Sequence, residues 1–209
     1  MMTLAPELQD KEVIDYLLEK SIVVAVGHSG ANYEEAMNFL AGSRKAVTHL
    51  FNGMPQMHHR DPGLIPAIFC EKPYTSIVAD GIHVAYPMIR MAKEILGESL
   101  YLISDAATPT TGGIYRHILK EDRYVTVNEE NKEEVLSGSA LTMLKAIQNC
   151  VEHVGISLPE AVNMATLYPA RVIGGEKKKG LIRPGYEANM VVFDPDYNIT
   201  RVIYNGRDI

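Results

Sequence analysis

Short apolar segments alternate with segments of helical period along the first half of this chain, and the alternation restricts the folds open to it. Strand-like apolar runs occupy residues 22–26, 46–47, 76–79 and 100–103, and apolar residues at helical spacing occupy residues 9–19, 32–42 and 87–96. Strands and helices in alternation form a parallel sheet, because right-handed crossovers carry each helix back over the sheet. The pattern therefore predicts an α/β fold, with residues 3–6 as an additional first strand.

A histidine or an aspartate stands at the carboxyl end of each of four consecutive predicted strands. These residues are His28, His49, His83 and Asp105. The carboxyl ends of parallel strands meet at one face, and in α/β barrels that face carries the chemistry. Two histidines on neighbouring strands with a carboxylate nearby indicate a hydrolytic metal centre, because neutral imidazoles bind divalent ions that activate water.

Each of these residues also has a structural interpretation. A histidine at a strand end is more often a hydrogen-bonded core or rim residue than a metal ligand. Asp105 could cap a helix or close an Asx-turn, and Asp80 could be a turn residue. Of the other histidines, His58 and His59 lie in a polar loop beside Arg60 and are expected to be solvated. His117 and His153 are expected to be structural.

The second half of the chain departs from the alternating pattern. A turn-rich stretch near residues 111–128 predicts a hairpin excursion, after which apolar residues at helical spacing predict a helix from Ser139 to Gly155. The C-terminal residues show short strands and turns, which predict a small β element. Accordingly we expect residues 1–179 to form one domain that includes the excursion, and residues 180–209 to form the second.

Composition and charge exclude several classes of protein. The 209 residues are 46% apolar and 22% charged, as in ordinary globular proteins, and the net charge of −6 without a basic stripe argues against nucleic-acid binding. No apolar run approaches the ~20 residues that cross a bilayer, and the N-terminus does not resemble a secretory signal. Two distant cysteines, Cys70 and Cys150, predict buried free thiols, so we expect a cytoplasmic protein.

Seven segments, in order along nearly the whole chain, closely resemble the N-acetylglucosamine-6-phosphate deacetylases, a family of the amidohydrolase superfamily. The segments are GHSGANYEEA, VTHLFNGMPQMHHRDPG, ADGIHV, LISDA, LSGSALTM, MATLYPAR and KGLIRPGYEANMVVFD. Of these, THLFNGM and ADGIH are specific within the superfamily, whereas the last segment is a general amidohydrolase feature. The resemblance implies a partial TIM-type (β/α) barrel of the metal-dependent amidohydrolase kind, with C-terminal strands of a small β-sandwich.

The resemblance also implies chemical roles for the residues at the strand ends. His28 and His49 match the family's metal-binding histidines, and the expected cofactor is a divalent metal, zinc first, with Fe, Mn, Co or Ni as alternatives. Asp105 matches the catalytic aspartate, which takes a proton from the attacking water and passes one to the departing amine. His83 matches the residue that contacts the substrate's carbonyl oxygen and stabilises the oxyanion.

The implied reaction is hydrolysis of the N-acetyl group of N-acetyl-D-glucosamine 6-phosphate to glucosamine 6-phosphate and acetate, in amino-sugar catabolism. Arg60 matches the residue that pairs with the sugar phosphate, and the backbone at Asn52 and Gly53 is expected to add phosphate donors. Leu136 and Ser137, in the segment LSGS, are expected to line the sugar pocket. The expected partner is thus a small-molecule sugar phosphate.

One departure from the family concerns the beginning of the chain. A complete eight-stranded barrel needs ~250 residues, whereas about five strands are predicted here, and these resemble the later strands of the family's barrel. The family's metal-binding glutamate has no evident counterpart, because Glu7, the earliest candidate, looks like a strand-end polar residue. We therefore expect a C-terminal portion of the enzyme. Since such a sheet has open edges, we also expect a homodimer or larger assembly with weak metal binding.

Two other functions remain open at this level. A different amidohydrolase, dihydroorotase-like or an amino-acid deacetylase, would share the pattern of two histidines and an aspartate. That interpretation does not explain Arg60 in HHRDPG or the segment THLFNGM. The other alternative is a truncated chain that folds but has no activity of its own. Substrate profiling tests the first alternative, and metal analysis tests the second.

Overall fold

A parallel sheet underlies the N-terminal half of the protein. The computed structural model describes residues 1–42, 45–110, 117–127 and 133–209. Within these ranges the strands of this sheet are β1 (Met2–Leu4), β2 (Val24–Val26), β3 (Lys45–Val47), β4 (Tyr74–Val78) and β5 (Leu100–Ile103), in the same order in the sheet as in the chain. Each connection therefore moves the chain one strand along in the same direction, as in a (β/α) barrel. The predicted α/β fold with a partial barrel is confirmed.

Helices connect these strands and pack their apolar faces on the sheet. They are α1 (Lys11–Glu19), α2 (Tyr33–Leu40), α3 (Leu64–Glu71) and α4 (Tyr86–Leu96). A capping box begins α2, in which Glu35 N–H donates to Asn32 Oδ1 over 3.0 Å and Asn32 N–H donates to Glu35 Oε2 over 2.9 Å. The helix α3 was not predicted from the sequence. Its Pro66 is tolerated because it stands in the first turn, where a helix does not use the backbone N–H.

The middle strands of the sheet are buried on both faces, as is usual for parallel strands covered by helices. All three residues of β2 and the last two residues of β4, Ile77 and Val78, have no exposed surface. A fully buried side chain of this kind contributes about 1.5–3 kcal/mol to folding. This packing holds the strands whose carboxyl ends carry the predicted site residues.

A small antiparallel sheet follows β5, and we call it the excursion sheet. Its strands are β6 (Ile118–Lys120), β7 (Arg123–Val127) and β8 (Glu134–Ser139). The hairpin of β6 and β7 lies within the stretch predicted as an excursion near residues 111–128, of which residues 111–116 and 128 lie outside the described residues. The strand β8 was not predicted from the sequence.

Ser139 ends a strand instead of starting a helix. Its N–H donates to the carbonyl oxygen of Asp105 over 2.9 Å, and its hydroxyl donates to the carbonyl oxygen of Ser104. These bonds hold residue 139 extended beside the end of β5, so the predicted helix start was wrong. The helix α5 (Met143–Asn149) begins instead after Thr142, whose hydroxyl caps it.

Helices pack on β5 after the excursion sheet. The helix α5 continues into a π-helical turn at Cys150–Val154 and ends at Gly155, the predicted end, where φ is 84°. Glycine suits this position because residues with a Cβ rarely adopt a left-handed backbone. The elements α6 (Leu158–Ala165) and α7 (Leu167–Val172) follow. Their buried faces complete the apolar core on the β5 side of the sheet.

The C-terminal residues form a third sheet. Its antiparallel strands are β9 (Met190–Phe193), β10 (Ile199–Tyr204) and β11 (Arg207–Asp208), in the order β11-β10-β9. This arrangement agrees with the expected C-terminal strands of a small β-sandwich. The boundary between residues 179 and 180 stays a prediction.

Two further expectations concern membranes and cysteines. In the ranges that the structure describes, no helix is long and apolar enough to cross a membrane. Both cysteines are free thiols, and Cys150 is buried, whereas Cys70 is exposed. The prediction that both are buried was therefore wrong for Cys70, because it lies on the outer face of α3, where Tyr33 Oη donates to its Sγ over 3.7 Å.

Candidate metal centre and active site

The carboxyl ends of the parallel strands open into a cavity of about 760 Å³. Segments that follow the strands form one wall, and the excursion sheet forms the other. The predicted site residues that line this cavity are His28, His49, Asn52, Gly53, His83, Asp105, Leu136 and Ser137. The predicted residue that does not line it is Arg60, which lies in an exposed loop after β3. The structure thus brings together side chains that are far apart in the sequence.

Three of these residues have a left-handed backbone conformation at the point where the chain leaves a strand. The φ angle is 51° at His28, 37° at His49 and 49° at Asp105. For a residue with a Cβ this conformation costs about 1–3 kcal/mol, and it persists only where the surrounding structure holds it. Because such outliers cluster at functional sites, their coincidence at three strand ends supports a site at this face.

The imidazoles of His28 and His49 face each other across neighbouring strand ends. Their Nε2 atoms are 2.9 Å apart, and the ring planes lie at 86° to each other. His49 is 4% exposed, and its Nδ1 has no hydrogen-bond partner among the described residues. Burial lowers the pKa of His49, so the ring is held in the neutral form that binds metals. The pair therefore presents two nitrogen ligands to one point.

Neighbouring residues hold both imidazoles in place. His49 N–H donates to Ser76 Oγ over 2.8 Å, and this buried hydroxyl donates to the carbonyl oxygen of Val47 over 3.2 Å. On the other side, a Cβ at Gly53 would lie 2.9 Å from His28 Nδ1, and φ of Gly53 is 61°. Glycine is the residue that meets both conditions, because it has no Cβ and adopts positive φ freely.

Asp80 and His83 form an ion pair after the end of β4. His83 Nδ1 lies 2.5 Å from Asp80 Oδ2, and Asp80 Oδ1 accepts from the N–H groups of Ile82 over 2.9 Å and His83 over 2.8 Å. The hydrogen bond to Asp80 raises the pKa of His83. Burial alone would raise the pKa of Asp80, but the bonds from His83 and Ile82 outweigh it and lower that pKa. Asp80 is both a turn residue and the partner that orients His83.

Asp105 follows β5 and lies on the cavity. Its negative charge favours the protonated forms of both His49 and His83, although burial dominates the pKa of His49. Within the described residues Asp105 caps no helix, and its carbonyl oxygen accepts from Ser139 N–H. A Cβ at Gly138, where φ is 138°, would lie 3.4 Å from that carbonyl oxygen. The excursion sheet therefore packs closely on the segment that carries Asp105.

The excursion sheet contributes a histidine that was predicted to be structural. His117 lines the cavity, with its Nδ1 2.9 Å from Ser137 Oγ and its N–H donating to Thr110 Oγ1 over 3.0 Å. A histidine in a hairpin, with no partner nearby in the sequence, carries no pattern that reveals this position. His153, by contrast, stacks on Tyr86 with ring centroids 4.7 Å apart and does not line the cavity.

The exposed loop after β3 matches its predicted solvated character. His58, His59 and Arg60 are all exposed, and Arg60 N–H donates to His58 Nδ1 over 3.3 Å. The guanidinium of Arg60 is therefore outside the lining of the cavity. Its pairing with a substrate phosphate stays a prediction.

The histidine pair fits part of the coordination of a divalent metal. Catalytic zinc sites usually combine three protein ligands with one water. In the described part of the chain, no group of three or more histidines, cysteines and acidic residues is placed to hold an ion. The rings of His28 and His49 face each other, and these are the two histidines that were predicted as metal ligands. Their role as ligands stays a prediction.

The chain is similar to deacetylases of amino-sugar phosphates. It is 33% identical to the N-acetylglucosamine-6-phosphate deacetylase of Haemophilus influenzae over 216 aligned positions, which cover 99% of this chain and 55% of that protein. The crystal structure of the enzyme of the same name from Pasteurella multocida matches with a TM-score of 0.88 and 31% identity, over 99% of this chain and 55% of that one. A mutant of the Mycobacterium smegmatis enzyme, in complex with N-acetyl-D-glucosamine-6-phosphate, matches with a TM-score of 0.83 and 30% identity, over 99% and 56%.

These matches confirm the likeness seen in the sequence segments, and the chain spans about half the length of the relatives concerned. The sequence profile of the amidohydrolase family matches residues 11–209. The parallel sheet places its histidines and aspartate at the strand ends, in agreement with that match. The chain therefore belongs to the amidohydrolase family.

Proposed function

We propose that this chain belongs to an enzyme that hydrolyses the N-acetyl group of N-acetyl-D-glucosamine 6-phosphate to glucosamine 6-phosphate and acetate. The observation that carries the proposal is the cavity at the strand ends, where the facing Nε2 atoms of His28 and His49 lie with His83 and Asp105. The names of the relatives support the substrate, and the Mycobacterium smegmatis complex contains this sugar phosphate.

A divalent metal held by His28 and His49 is part of the proposal, with zinc first and Fe, Mn, Co or Ni as alternatives. When bound, such an ion lowers the pKa of water and polarises the acetamide carbonyl. Burial favours the neutral form of His49, and a neutral imidazole has a ring nitrogen with a lone pair that can bind a metal. The facing geometry of the two rings supports their assignment to one ion.

Asp105 is proposed to act first as a base and then as an acid. Its carboxylate takes a proton from the attacking water while the water oxygen bonds to the acetamide carbon. It then gives that proton to the amine nitrogen as the C–N bond breaks, which yields the amine and acetic acid, and the acid loses its proton to solvent as acetate. Asp105 lines the same cavity as His49 and His83, which supports this role.

His83 is proposed to stabilise the oxyanion that forms on the acetamide oxygen. Its Nδ1–H donates to Asp80, which favours the protonated ring and fixes its orientation. The other nitrogen, Nε2, then carries a proton that it can donate to the developing negative charge. The location of His83 on the cavity supports this role.

The remaining predicted contacts concern the sugar phosphate. Gly53 is proposed to donate its backbone N–H to the phosphate, and Leu136 and Ser137 to contact the sugar. The backbone N–H of Asn52, which was also predicted as a phosphate donor, already donates to the carbonyl oxygen of His49 over 2.9 Å and is therefore used within the turn. Among the described residues that line the cavity there is no Lys or Arg. A charged partner for the phosphate has to come from outside this lining, and Arg60 in the adjoining loop is the candidate.

Acetate release by the purified protein, with and without added Zn²⁺, tests the proposal. The comparison substrates are N-acetyl-D-glucosamine without phosphate and an N-acetyl amino acid. We expect the phosphorylated sugar to be preferred and Arg60→Ala to reduce that preference, whereas the exposed Arg207→Ala should not. Equal turnover of the N-acetyl amino acid would contradict the proposal and favour a different amidohydrolase.

A second candidate is a chain that binds metal poorly and has no activity of its own. The observation in its favour is that the described residues supply two metal ligands and no group of three. Metal analysis of the purified protein separates the candidates. About one zinc per chain with acetate release supports the enzyme, whereas an empty site without acetate release supports the second candidate.

The assembly and the cellular location are also proposals. The strands β1 and β5 are the edges of the parallel sheet, and Met2 of β1 is 47% exposed, whereas the first three residues of β5 are buried. An exposed edge strand such as β1 favours association with another chain. We therefore infer a homodimer, which light scattering tests, since a monodisperse monomer would contradict it. A cytoplasmic location remains an expectation from the sequence, and fractionation of cells that express the protein would check it.

A further inference from the structure

Glu7 lies outside the cavity, yet both of its carboxylate oxygens bind the loop that carries His28. It belongs to a single 3₁₀ turn, Pro6–Leu8, which follows the carboxyl end of β1. Ser29 Oγ donates to Glu7 Oε2 over 2.7 Å, and Gly30 N–H donates to Glu7 Oε1 over 2.7 Å. Hydrogen bonds to an ionised carboxylate are stronger than neutral ones, so this contact is a firm link between two segments of the chain.

The loop after β2 has to be held because of the backbone at His28. Its φ of 51° is unfavourable for a residue with a Cβ, and the surrounding structure has to offset that cost. Ser29 is 1% exposed, and its hydroxyl also accepts from Ala31 N–H over 3.2 Å, which leaves the hydroxyl proton for Glu7. The two bonds to Glu7 therefore fix the residues that directly follow His28.

These bonds are additional to the pairing of β1 with β2. The ladder between the strands already has Met2 N–H donating to Val23 O over 2.9 Å and Gly27 N–H donating to Leu4 O over 3.1 Å. Glu7 acts beyond the end of that ladder, on the loop instead of the strand. Holding the two strands together is thus not its main effect.

A direct role of Glu7 as a metal ligand does not fit the structure. Both carboxylate oxygens are used by donors of Ser29 and Gly30. Across the described ranges, no third ligand joins the pair formed by His28 and His49. Any effect of Glu7 on the histidine pair therefore has to pass through the loop that follows His28.

We propose that Glu7 is a positioning residue that orients the His28 imidazole toward His49, and this rests on the proposed metal-dependent function. The loop turns at His28, so its ring direction depends on where the next two residues are held. Residues that orient metal ligands from a second layer typically change metal affinity by about 10–100-fold when they are replaced. Removal of the Glu7 carboxylate should therefore weaken metal binding without unfolding the sheet.

Cobalt binding, followed by visible absorption, tests the proposal on the full chain. We expect Glu7→Ala to weaken Co²⁺ binding about 10-fold or more. Glu7→Gln should remain close to wild type, because its amide oxygen can accept from Gly30 and its amide N–H can donate to Ser29. The matched control is Glu12→Ala, at an exposed position of α1, which should bind Co²⁺ like wild type.

A second measurement uses the metal-free protein. It distinguishes a failure of the Glu7 proposal from a failure of the proposed metal-dependent function. We expect Gly30 N–H to exchange faster in Glu7→Ala than in wild type, and the NMR signals of the His28 ring to move, while thermal unfolding shows a folded chain. If wild type takes up no Co²⁺, the proposed metal-dependent function fails, and the exchange rate of Gly30 then decides the role of Glu7 in the loop.

Unchanged Gly30 exchange in Glu7→Ala would overturn the proposal, and so would Co²⁺ affinity within twofold of wild type. If Glu7→Ala does not fold, Ser29→Ala replaces it, because this change removes one of the two bonds. Ser29→Ala is then expected to weaken Co²⁺ binding by less than loss of both bonds would, and affinity equal to wild type would overturn the proposal.

Discussion

The two walls of the cavity differ in how the fold holds them. Residues 24–26 before His28 and residues 46–47 before His49 have no exposed surface, whereas Val135 and Leu136 of the excursion sheet are 51% and 43% exposed. The sheet wall is thus set by a close-packed core, while the excursion wall is a small, only partly buried sheet tied to β5 near Ser139. Rigid elements suit groups that must keep a fixed geometry, and exposed segments suit contacts that vary with the substrate.

Because of this difference, we expect substitutions in the two walls to change different kinetic constants. Changes in the sheet wall should alter metal affinity and kcat, whereas changes in the excursion wall should alter KM. Substitutions in each wall test that division.

The largest effect is expected for Asp105→Asn. The amide cannot accept the proton from the attacking water, so kcat should fall by about 10²–10⁴-fold. Acetate release at saturating substrate measures this loss, and zinc content should stay at the wild-type value. The control is Asp122→Asn in the exposed turn of the excursion sheet, which should keep wild-type kcat. A loss below tenfold for Asp105→Asn would remove Asp105 from the chemistry.

Gly53→Ala should damage the sheet wall through a contact with His28. The new Cβ would lie 2.9 Å from His28 Nδ1, and φ at this position is 61°. The backbone strain costs about 1–2 kcal/mol of stability, and displacement of the ring should weaken zinc binding by about 10–100-fold. Chelator competition measures the affinity, and urea unfolding measures the stability.

The matched control for this change is Gly63→Ala. Its φ is 69°, but no atom lies within 4 Å of the added Cβ. Its ψ is −158°, a combination that residues with a Cβ adopt very rarely, so Gly63→Ala should lose stability through the backbone and keep wild-type zinc affinity. Equal zinc affinities in the two variants would show that the contact with His28 does not matter.

His117→Ala tests the excursion wall. The substitution removes the His117 imidazole, a hydrogen-bonding group, from the cavity lining. KM for the sugar phosphate should therefore rise by about 2–10-fold, equivalent to about 0.5–1.5 kcal/mol, with little change in kcat. Steady-state kinetics of acetate release measure both constants. His153→Ala is the control, because that ring stacks on Tyr86 away from the cavity. A loss in kcat as large as that of Asp105→Asn would break the division between the walls.

The pair of Asp80 and His83 makes stability depend on pH. Because the pKa of His83 is raised, its contribution is full below about 6.5 and is lost as pH rises through the folded value. Because the pKa of Asp80 is lowered, its contribution is present above about 3.9 and is lost as pH falls through the folded value. The pair should therefore stabilise the fold most between about pH 4 and 6.5.

Asp80→Asn should remove this dependence and lower the pKa of His83. NMR titration of the metal-free protein follows the His83 ring, and urea unfolding across the same pH range follows stability. The ring signals of the exposed His59 should not respond to the substitution. An unchanged titration of His83 would show that Asp80 does not control its charge.

The parts of the site that were predicted from sequence share a local cause. The apolar period around residues 22–26 and 46–47 predicts strands, and parallel strands place His28 and His49 at the same face whatever the detailed packing. Asp105 follows by the same argument from residues 100–103. Each of these predictions depends on a pattern within a few residues.

The features that were not predicted from the sequence depend on contacts between distant segments. Ser139 was predicted to start a helix, but its hydrogen bonds to Ser104 and Asp105 hold it extended. His117 was predicted to be a structural hairpin residue. Pairing within the excursion sheet places it beside Ser137, which is 20 residues away along the chain. No local pattern encodes either contact.

The sequence by itself determined the alternating α/β fold, the family and the histidines and aspartate at the strand ends. Only the tertiary structure decided which side chains meet there: His28 with His49, His117 with Ser137, and Glu7 with the loop 22 and 23 residues away. It also left Arg60 outside the lining of the cavity. The physical reason is that hydrophobic period is a property of neighbouring residues, whereas these contacts exist only once the core has packed the strands side by side.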